Sequence, residues 1–553
     1  MDLAGDRERH DLTLTSRADE SVAPGLPAPG AADVPRAGAR RPWWIWLAPF
    51  AVVLGVLLGR NAFLFGTPLY EDADAGAYSI LIEQARRFSL LVGNYSREKF
   101  NHPGPALLYV QSWGESLFWS VLHVVPTAWN GQLIALYALN AVFAAFVVAT
   151  GYGWTRSVRT AAAVLAVVLL YGALHPSLFS SDWMPYEYVP AYFAFLVAIS
   201  SVAAGRVQDS WIAALSGWFL IHGHACFLFF VPVLSAAAVL ALAWPRRRRL
   251  RSSLRSFAAR QRRIWVPVAV ISAVFVLPIA VELALHWPGN FGKYFSYSSS
   301  SRSGGHNLGQ VAGYALWFWW PRAHAWVAPL VLFAVAGFVA WRLPAGPARR
   351  FCLSLLAFDA LSSVAFVAYT TVGIDDLTQY YIGYFYWSAP VIALLVIAVG
   401  VVESPPARGW LGAGAAVTAA VAACAAFAAA PQTRLTIEHT DPVNLSTGPD
   451  ADPSLPAGVA RMAALAGGRP IVLRLTHDAW PAMTGVLVQA ERTGVRACVA
   501  DRGWEFMVTS QFICTPAELA DGKKFQLYVP GQVPHGQRVE VRLRRGIVTA
   551  AGI

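Results

Sequence analysis

Eleven runs of about 20 apolar residues constrain this chain more than any other feature, because a helix of that length matches the ~30 Å hydrocarbon core of a bilayer. They lie near residues 43–66, 131–150, 160–178, 187–204, 211–222, 225–244, 264–286, 324–342, 351–372, 384–402 and 409–430. In hydrocarbon every backbone N–H and C=O must be bonded within its own segment, so these runs are expected to be helices. The fifth and sixth read as one tight hairpin with a short first arm. A composition of 56% apolar and 14% charged residues excludes an ordinary soluble chain.

Lys and Arg set the orientation. The loops assigned to the cytoplasm, with the N-terminal tail, carry 22 of them, against eight on the other side before residue 431. Cationic residues concentrate on the cytoplasmic face, and Arg246–Arg249, Arg251 and Arg255 are the strongest element of that pattern. The run lacks the interleaved aromatics and the soluble domain that nucleic-acid binding needs, so no nucleic-acid partner is expected. The formal charge of +11 is therefore mostly topological. Residues 1–42, rich in Pro, Gly, Ala and charge, read as a disordered cytoplasmic tail. Residues 43–430 form the membrane domain, and 431–553 a small extracytoplasmic domain. No cleavable signal peptide is read at the first span.

The first outer loop, 67–130, is chemically dense: LYEDADAGAYSILIEQARRFSLLVGNYSREKFNHPGPALLYVQ. Three carboxylates, Glu71, Asp72 and Asp74, fall within four residues, followed by Arg97 and Lys99 and then Asn-His-Pro-Gly-Pro. Residues 75–91 alternate apolar and polar at helical spacing and are expected to lie on the outer surface as an interfacial helix. The Pro103–Gly104–Pro105 break starts a second helix, Ala106–Val121, with His102 at the bend.

Elsewhere, Arg60 near the outer end of the first span either snorkels to the interface or meets a lipid phosphate. SSDWMPYEYVP brings Asp182, Trp183, Tyr186, Glu187 and Tyr188 to an outer loop. His222 and His224 stand at a turn, but no third ligand is evident and no metal site is expected. HWPGNFGKYFSYSSSSRSGGHNLGQ, with Lys293, Arg302 and His306, reads as a mobile loop over a site or a bare linker. Asp359 lies inside the ninth span, where an ionisable residue is expected to face the bundle interior. GIDDLTQYYIGYFYWSAP joins Asp375 and Asp376 to a tyrosine cluster containing Tyr380 and Tyr381. In the C-terminal domain PIVLRL, VRACVA, FMVTSQF, FQLYV and RVEVRL read as strands around a helix over 480–492, which predicts a small α/β unit. Cys498 and Cys514 fall where a disulfide would persist, either bonded or reduced and far apart.

An acidic cluster just outside the first span, two juxtamembrane helices and a His-Pro-Gly-Pro motif together resemble the GT-C superfamily of membrane glycosyltransferases. That superfamily includes protein O-mannosyltransferases and the bacterial aminoarabinose and arabinofuranosyl transferases. The corresponding stretches are Glu71–Asp74 and Asn101–Pro105; QYYIGYFYWSAP is similar to a Tyr-rich motif near the tenth helix of many members. The resemblance covers residues 43–402 and departs from the pattern in lacking an adjacent Asp-Glu. Spacing to Tyr78 and Gly93 favours Asp74 as the match, with Asp72 second; the plainer role for Asp74 is the N-cap of the following helix.

The resemblance implies a mainly α, polytopic bundle of about 11 spans with a small C-terminal α/β domain. It implies transfer of a hexose or pentose from a polyprenyl-phosphate donor to an envelope glycan, lipid or protein acceptor outside the cytoplasmic membrane. Catalytic candidates are Asp74, Asp72 and Glu71. Candidates for substrate binding are His102, Arg60, Arg97, Lys99, Tyr78, Glu187, His222, His224, Lys293, Arg302, Tyr380 and Tyr381. A lipid phosphate is already a good leaving group, so one carboxylate acting as base is enough, with cations stabilising the departing phosphate. No cofactor is firmly predicted, and a divalent cation stays open. The alternative from another class is a transporter or flippase, which paired internal repeats would favour; none is found.

Overall fold

The computed structural model describes residues 41–244, 262–300, 305–319, 326–405, 413–430 and 451–550. The tail up to residue 40, the arginine run, Arg302 and residues 431–450 lie outside these residues. Each of the eleven apolar runs contains a helix. Five are long and apolar enough to cross a membrane: Ala128–Thr155, Met184–Ala203, Arg262–His286, Pro347–Gly373 and the stretch Tyr380–Glu403. The others are shorter: Trp44–Arg60, Val158–Leu174, Ser210–Gly223, Phe227–Ala243, Val327–Arg342 and Ala413–Ala429.

Four helices frame the first outer loop: α1 (Trp44–Arg60), α2 (Ala73–Arg86), α3 (Ala106–Gly114) and α4 (Ala128–Thr155). Beyond α3 the chain winds as a π-helix, Glu115–Val121, so the expected second juxtamembrane helix is there with a change of pitch. Small residues let these helices touch, since lipid supplies no hydrophobic drive between apolar helices and close packing must do so. A Cβ added at Gly114 would lie 2.3 Å from the Ala135 Cβ and 2.5 Å from the Gly131 oxygen. The bundle interior is filled by large side chains, among them Trp129, Tyr137, Tyr192, Phe195, Phe227 and Phe385. Asp359 is fully buried there.

Helix α2 departs from expectation. It does not lie bare on a surface but is clamped between the bundle and the C-terminal domain. Tyr78, Leu81, Ile82 and Ala85 pack with Leu90 and Leu108, whereas Ala77 and Ile80 enter the core of the C-terminal domain. α2 and the C-terminal domain thus share one apolar core.

That C-terminal domain is an α/β unit with a five-stranded sheet ordered β2-β1-β3-β5-β4. The strands are β1 (Ile471–Leu475), β2 (Ala497–Val499), β3 (Lys523–Tyr528), β4 (Val539–Arg542) and β5 (Ile547–Ala550). β1 runs parallel to β2 and β3, and β5 pairs antiparallel with β3 and β4. Central β1 opens with three consecutive buried residues, Ile471, Val472 and Leu473, as a strand covered on both faces should. FMVTSQF is not a strand: Glu505–Val508 is a helical turn and Ser510–Phe512 a 3₁₀ turn. Burial of Trp504, Met507, Val508 and Phe512 follows helical spacing, and Thr509 takes φ +63°. β5, in contrast, escaped the sequence reading.

Cys498 and Cys514 form a disulfide with 5.0 Å between Cα atoms, buried against Val472. Closing a loop with a sequence separation of 16 contributes about 3 kcal/mol in the chain-entropy picture. Maleimide labelling of the intact protein is expected to modify neither cysteine before reduction and both after reduction and unfolding. Modification without reductant would refute the bond.

Candidate functional site

The three acids part company in the folded chain. Glu71 is fully buried and gripped at both oxygens by Arg492, at 2.8 and 2.5 Å, with Ser79 Oγ donating to it at 2.6 Å. Bidentate pairing of this kind is strong and directional. The network continues: Gln132 donates to Glu115 at 2.8 Å, and Arg86 bridges Glu115 and Glu83, each at 3.0 Å. Glu71 thus ties α2 to α4 and to helix Trp480–Arg492.

Asp72 is also fully buried, with Arg545 Nη1 3.3 Å from Oδ1. It occupies the N-cap position of α2 but makes no capping hydrogen bond. Burial pushes its carboxyl up to about 7; Arg545 opposes the shift and Asp452 adds to it. Because the folded value lies above the ordinary 3.8, folding favours the protonated acid. Its contribution to stability is therefore full below pH ~4 and is lost as the pH rises through about 7. Asp72→Asn is expected to flatten that part of the stability–pH curve, a change on the order of 3 kcal/mol. Thermal unfolding at stepped pH reads it, and an unaltered slope would refute the assignment.

Asp74 differs from both. It lies in the first turn of α2 and is only half-buried. Tyr95 donates its hydroxyl to Oδ1, and Trp183 Nε1 donates to Oδ2 at 2.9 Å. Both oxygens are thus oriented from outside α2, and Asp74 is not a helix cap. Tyr95 and Trp183 were not picked out as site residues from sequence. Tyr95 lies in the first outer loop, and Trp183 in SSDWMPYEYVP.

Aromatic rings and one cation complete the surroundings. Tyr78 is buried one turn along α2, its ring 6.3 Å from that of Tyr95. Burial and then the Asp74 charge hold its phenol well above the usual range. Trp183 packs on Tyr381 at 5.2 Å and on Tyr186 at 5.8 Å. Tyr381 donates to Gln379 at 2.5 Å, and Gln379 and Asp375 both accept from Arg97, the latter at 2.5 and 2.6 Å. Exposed Arg97 is thereby linked to the Asp74 cluster.

The histidines do another job. Residues 93–102 fold back on themselves, Gly93 N–H donating to the His102 oxygen and His102 N–H to the Asn94 oxygen, each at 2.8 Å. This hairpin carries Tyr95. His102 is buried, stacks on His224 with 4.3 Å between ring centroids, and accepts from Ala225 N–H at 3.3 Å. Burial, then His224, holds its pKa well below the usual histidine range, so it serves as a neutral acceptor. His222 accepts from Ala106 N–H at 3.3 Å, and its backbone oxygen accepts from Gly104 N–H at 3.1 Å. The Pro-Gly-Pro bend and the 222–226 turn form one latch.

The remaining candidates are scattered. Arg60 donates to the Phe427 and Ala430 oxygens, the latter at 2.8 Å, and so satisfies the carbonyl end of helix Ala413–Ala429. Glu187 accepts from Gln111 at 3.4 Å. Tyr380 stacks on Trp317 at 4.3 Å. Lys99 and Lys293 are exposed. Lys293 sits on helix Gly289–Ser300, whose Tyr294 donates to the Asn101 oxygen at 2.5 Å; this part of the segment is neither bare linker nor loop. Among the described residues no group of three or more His, Cys, Asp or Glu is arranged to hold a metal ion.

No protein-family model matches the chain, and no curated protein does. Its fold is similar to the crystal structure of ArnT from Cupriavidus metallidurans in the apo state, with TM-score 0.53 and 12% identity over 91% of this chain and 97% of that one. The Archaeoglobus fulgidus oligosaccharyltransferase complex with Zn and sulfate aligns over 88% of this chain and 68% of its own, also at 12% identity. Its TM-score of 0.35 is too low to carry an argument. In fold, then, this protein is a polytopic helix bundle similar to that ArnT structure, with a C-terminal α/β domain.

Proposed function

We propose that this protein is a membrane glycosyltransferase that moves a sugar from a polyprenyl-phosphate donor to an envelope acceptor outside the cytoplasmic membrane. The observation that carries the reading is Asp74: of three clustered acids it alone is half-open and held by two donors rather than an arginine. The shared fold supports it, since ArnT is an aminoarabinose transferase. In the proposed step the acceptor hydroxyl gives its proton to Asp74 as its oxygen attacks the anomeric carbon. The bond from that carbon to the phosphate oxygen breaks, and the polyprenyl phosphate leaves with the electron pair. Arg97 meets the developing charge. A single displacement inverts the anomeric centre.

In this reading residues 1–42 are cytoplasmic, 43–430 form the membrane domain and 431–553 face outward. Tyr78, Tyr95, Trp183 and Tyr381 line the sugar site, while Glu71, Asp72 and the three histidines hold its frame. Reconstituted protein offered radiolabelled polyprenyl-phosphate pentoses and hexoses one at a time, with envelope extract as acceptor, tests the proposal. Label passing from one donor into acceptor supports it; lipid or solute movement with no transfer from any donor would replace it with transport.

A further inference from the structure

We infer that the C-terminal α/β domain aims the Asp74 carboxylate, with Thr484, Arg492 and Arg545 as positioning residues. The inference rests on the reading of Asp74 as the reacting group. Ala73, immediately before it, has φ +48°, the left-handed region that a residue with a Cβ avoids. Such a conformation persists only where the surroundings over-determine it. Here four polar contacts to residues 70–73 come from the C-terminal domain. Thr484 Oγ1 donates to the Ala73 oxygen at 2.9 Å. Arg492 grips Glu71, and Arg545 pairs with Asp72. Asp452 N–H donates to the Tyr70 oxygen at 2.7 Å.

Two glycines permit this closeness. A Cβ on Gly76 would lie 2.7 Å from Thr484 Oγ1, and one on Gly485 would lie 3.1 Å from both the Asp72 Cβ and the Glu71 oxygen. The domain also touches the phenol bonded to Asp74, for Phe506 packs on Tyr95 at 6.0 Å between centroids. The backbone of this turn and one of the two hydrogen-bond partners of the carboxylate are thus in contact with this domain. Released from these contacts, the first turn of α2 relaxes to negative φ and carries Asp74 away from Tyr95 and Trp183.

The test uses the full-length protein with Thr484→Val, Arg492→Met, Arg492→Lys and the pair Ala73→Gly/Thr484→Val. Amide hydrogen exchange over residues 72–78, read by mass spectrometry, needs no substrate. Transfer from a labelled polyprenyl-phosphate sugar gives kcat and KM. Thr484→Val and Arg492→Met are expected to speed exchange over 72–78 and to lower kcat about tenfold or more, with donor KM within about twofold. Arg492→Lys, which keeps the charge but not the two-point grip, is expected to fall between the wild type and Arg492→Met. Ala73→Gly should return most of what Thr484→Val loses, because glycine takes positive φ without strain. Unchanged exchange and kcat in Thr484→Val and Arg492→Met would overturn the inference. So would a loss of rate with faster exchange throughout the chain and no recovery by Ala73→Gly. Full activity of Asp74→Asn would instead sink the reading of Asp74 while leaving the exchange result to stand on its own.

Discussion

Asp74→Asn is expected to lower glycosyl transfer by roughly 10²–10⁴-fold, the usual contribution of a positioned general base, while leaving the protein folded. The amide keeps the shape of the carboxylate and offers an oxygen to Tyr95 or Trp183, so the local hydrogen bonds survive in part. What it lacks is a group that can take the acceptor proton. The loss should fall on kcat, with donor KM changed little, because the substitution removes an interaction made only in the transition state. Asp72→Asn is the comparison: Asp72 is buried beside Arg545, so its loss of rate is expected to be smaller and to accompany the altered stability–pH curve. Wild-type rates in Asp74→Asn would end the assignment. An equal loss in Asp72→Asn would move the chemistry to the neighbouring acid.

Gly104→Ala is the second change with a large expected effect. A Cβ there would lie 2.4 Å from His222 Nδ1 and 2.5 Å from its Cγ, an aromatic ring with nowhere to retreat. His222 is held at Nε2 by the Phe275 oxygen at 2.7 Å and at Nδ1 by Ala106 N–H. Overpacking of this kind costs about 1–3 kcal/mol, and the ring's fixed bonds place this case at the upper end. The displaced bend would shift the hairpin that carries Tyr95, so transfer should fall on the order of 10²-fold, the cost of a ~1 Å misplacement at a reacting group. Thermal unfolding in detergent and the transfer assay read the two effects. His222→Ala makes room, so the double variant should be less damaged than the sum of the single changes. Strict additivity would show that the two residues do not press on each other.

Much of the architecture was legible without coordinates because it rests on local requirements. A ~30 Å hydrocarbon layer demands about 20 apolar residues per crossing, and each of the eleven apolar runs contains a helix, five of them long enough to cross. Pro103–Gly104–Pro105 breaks the chain between α2 and α3 because proline ends a helix whatever its neighbours. PIVLRL reads as a strand from its apolar run, and the structure covers its Ile-Val-Leu on both faces. FMVTSQF misled because its β-prone composition is overridden by a burial pattern at helical spacing, in which Trp504, Met507, Val508 and Phe512 face one core.

The site was decided elsewhere. Glu71, Asp72 and Asp74 are near equals in sequence, within four positions and in one chemical class. They become unequal only because Arg492, 421 residues from Glu71, closes on the first and Arg545 on the second. Tyr95 and Trp183 reach the third from a hairpin and from a separate loop. His102, His222 and His224, which pattern alone suggested for substrate, form a latch, with His102 stacked on His224 and His222 bonded to Ala106 N–H. The sequence by itself determined where the apolar helices form and where the acids cluster, since hydropathy and helix breaking act over a few residues. Which acid stays open to a substrate is a matter of burial and ion pairing between segments hundreds of residues apart, and only the tertiary structure could decide it.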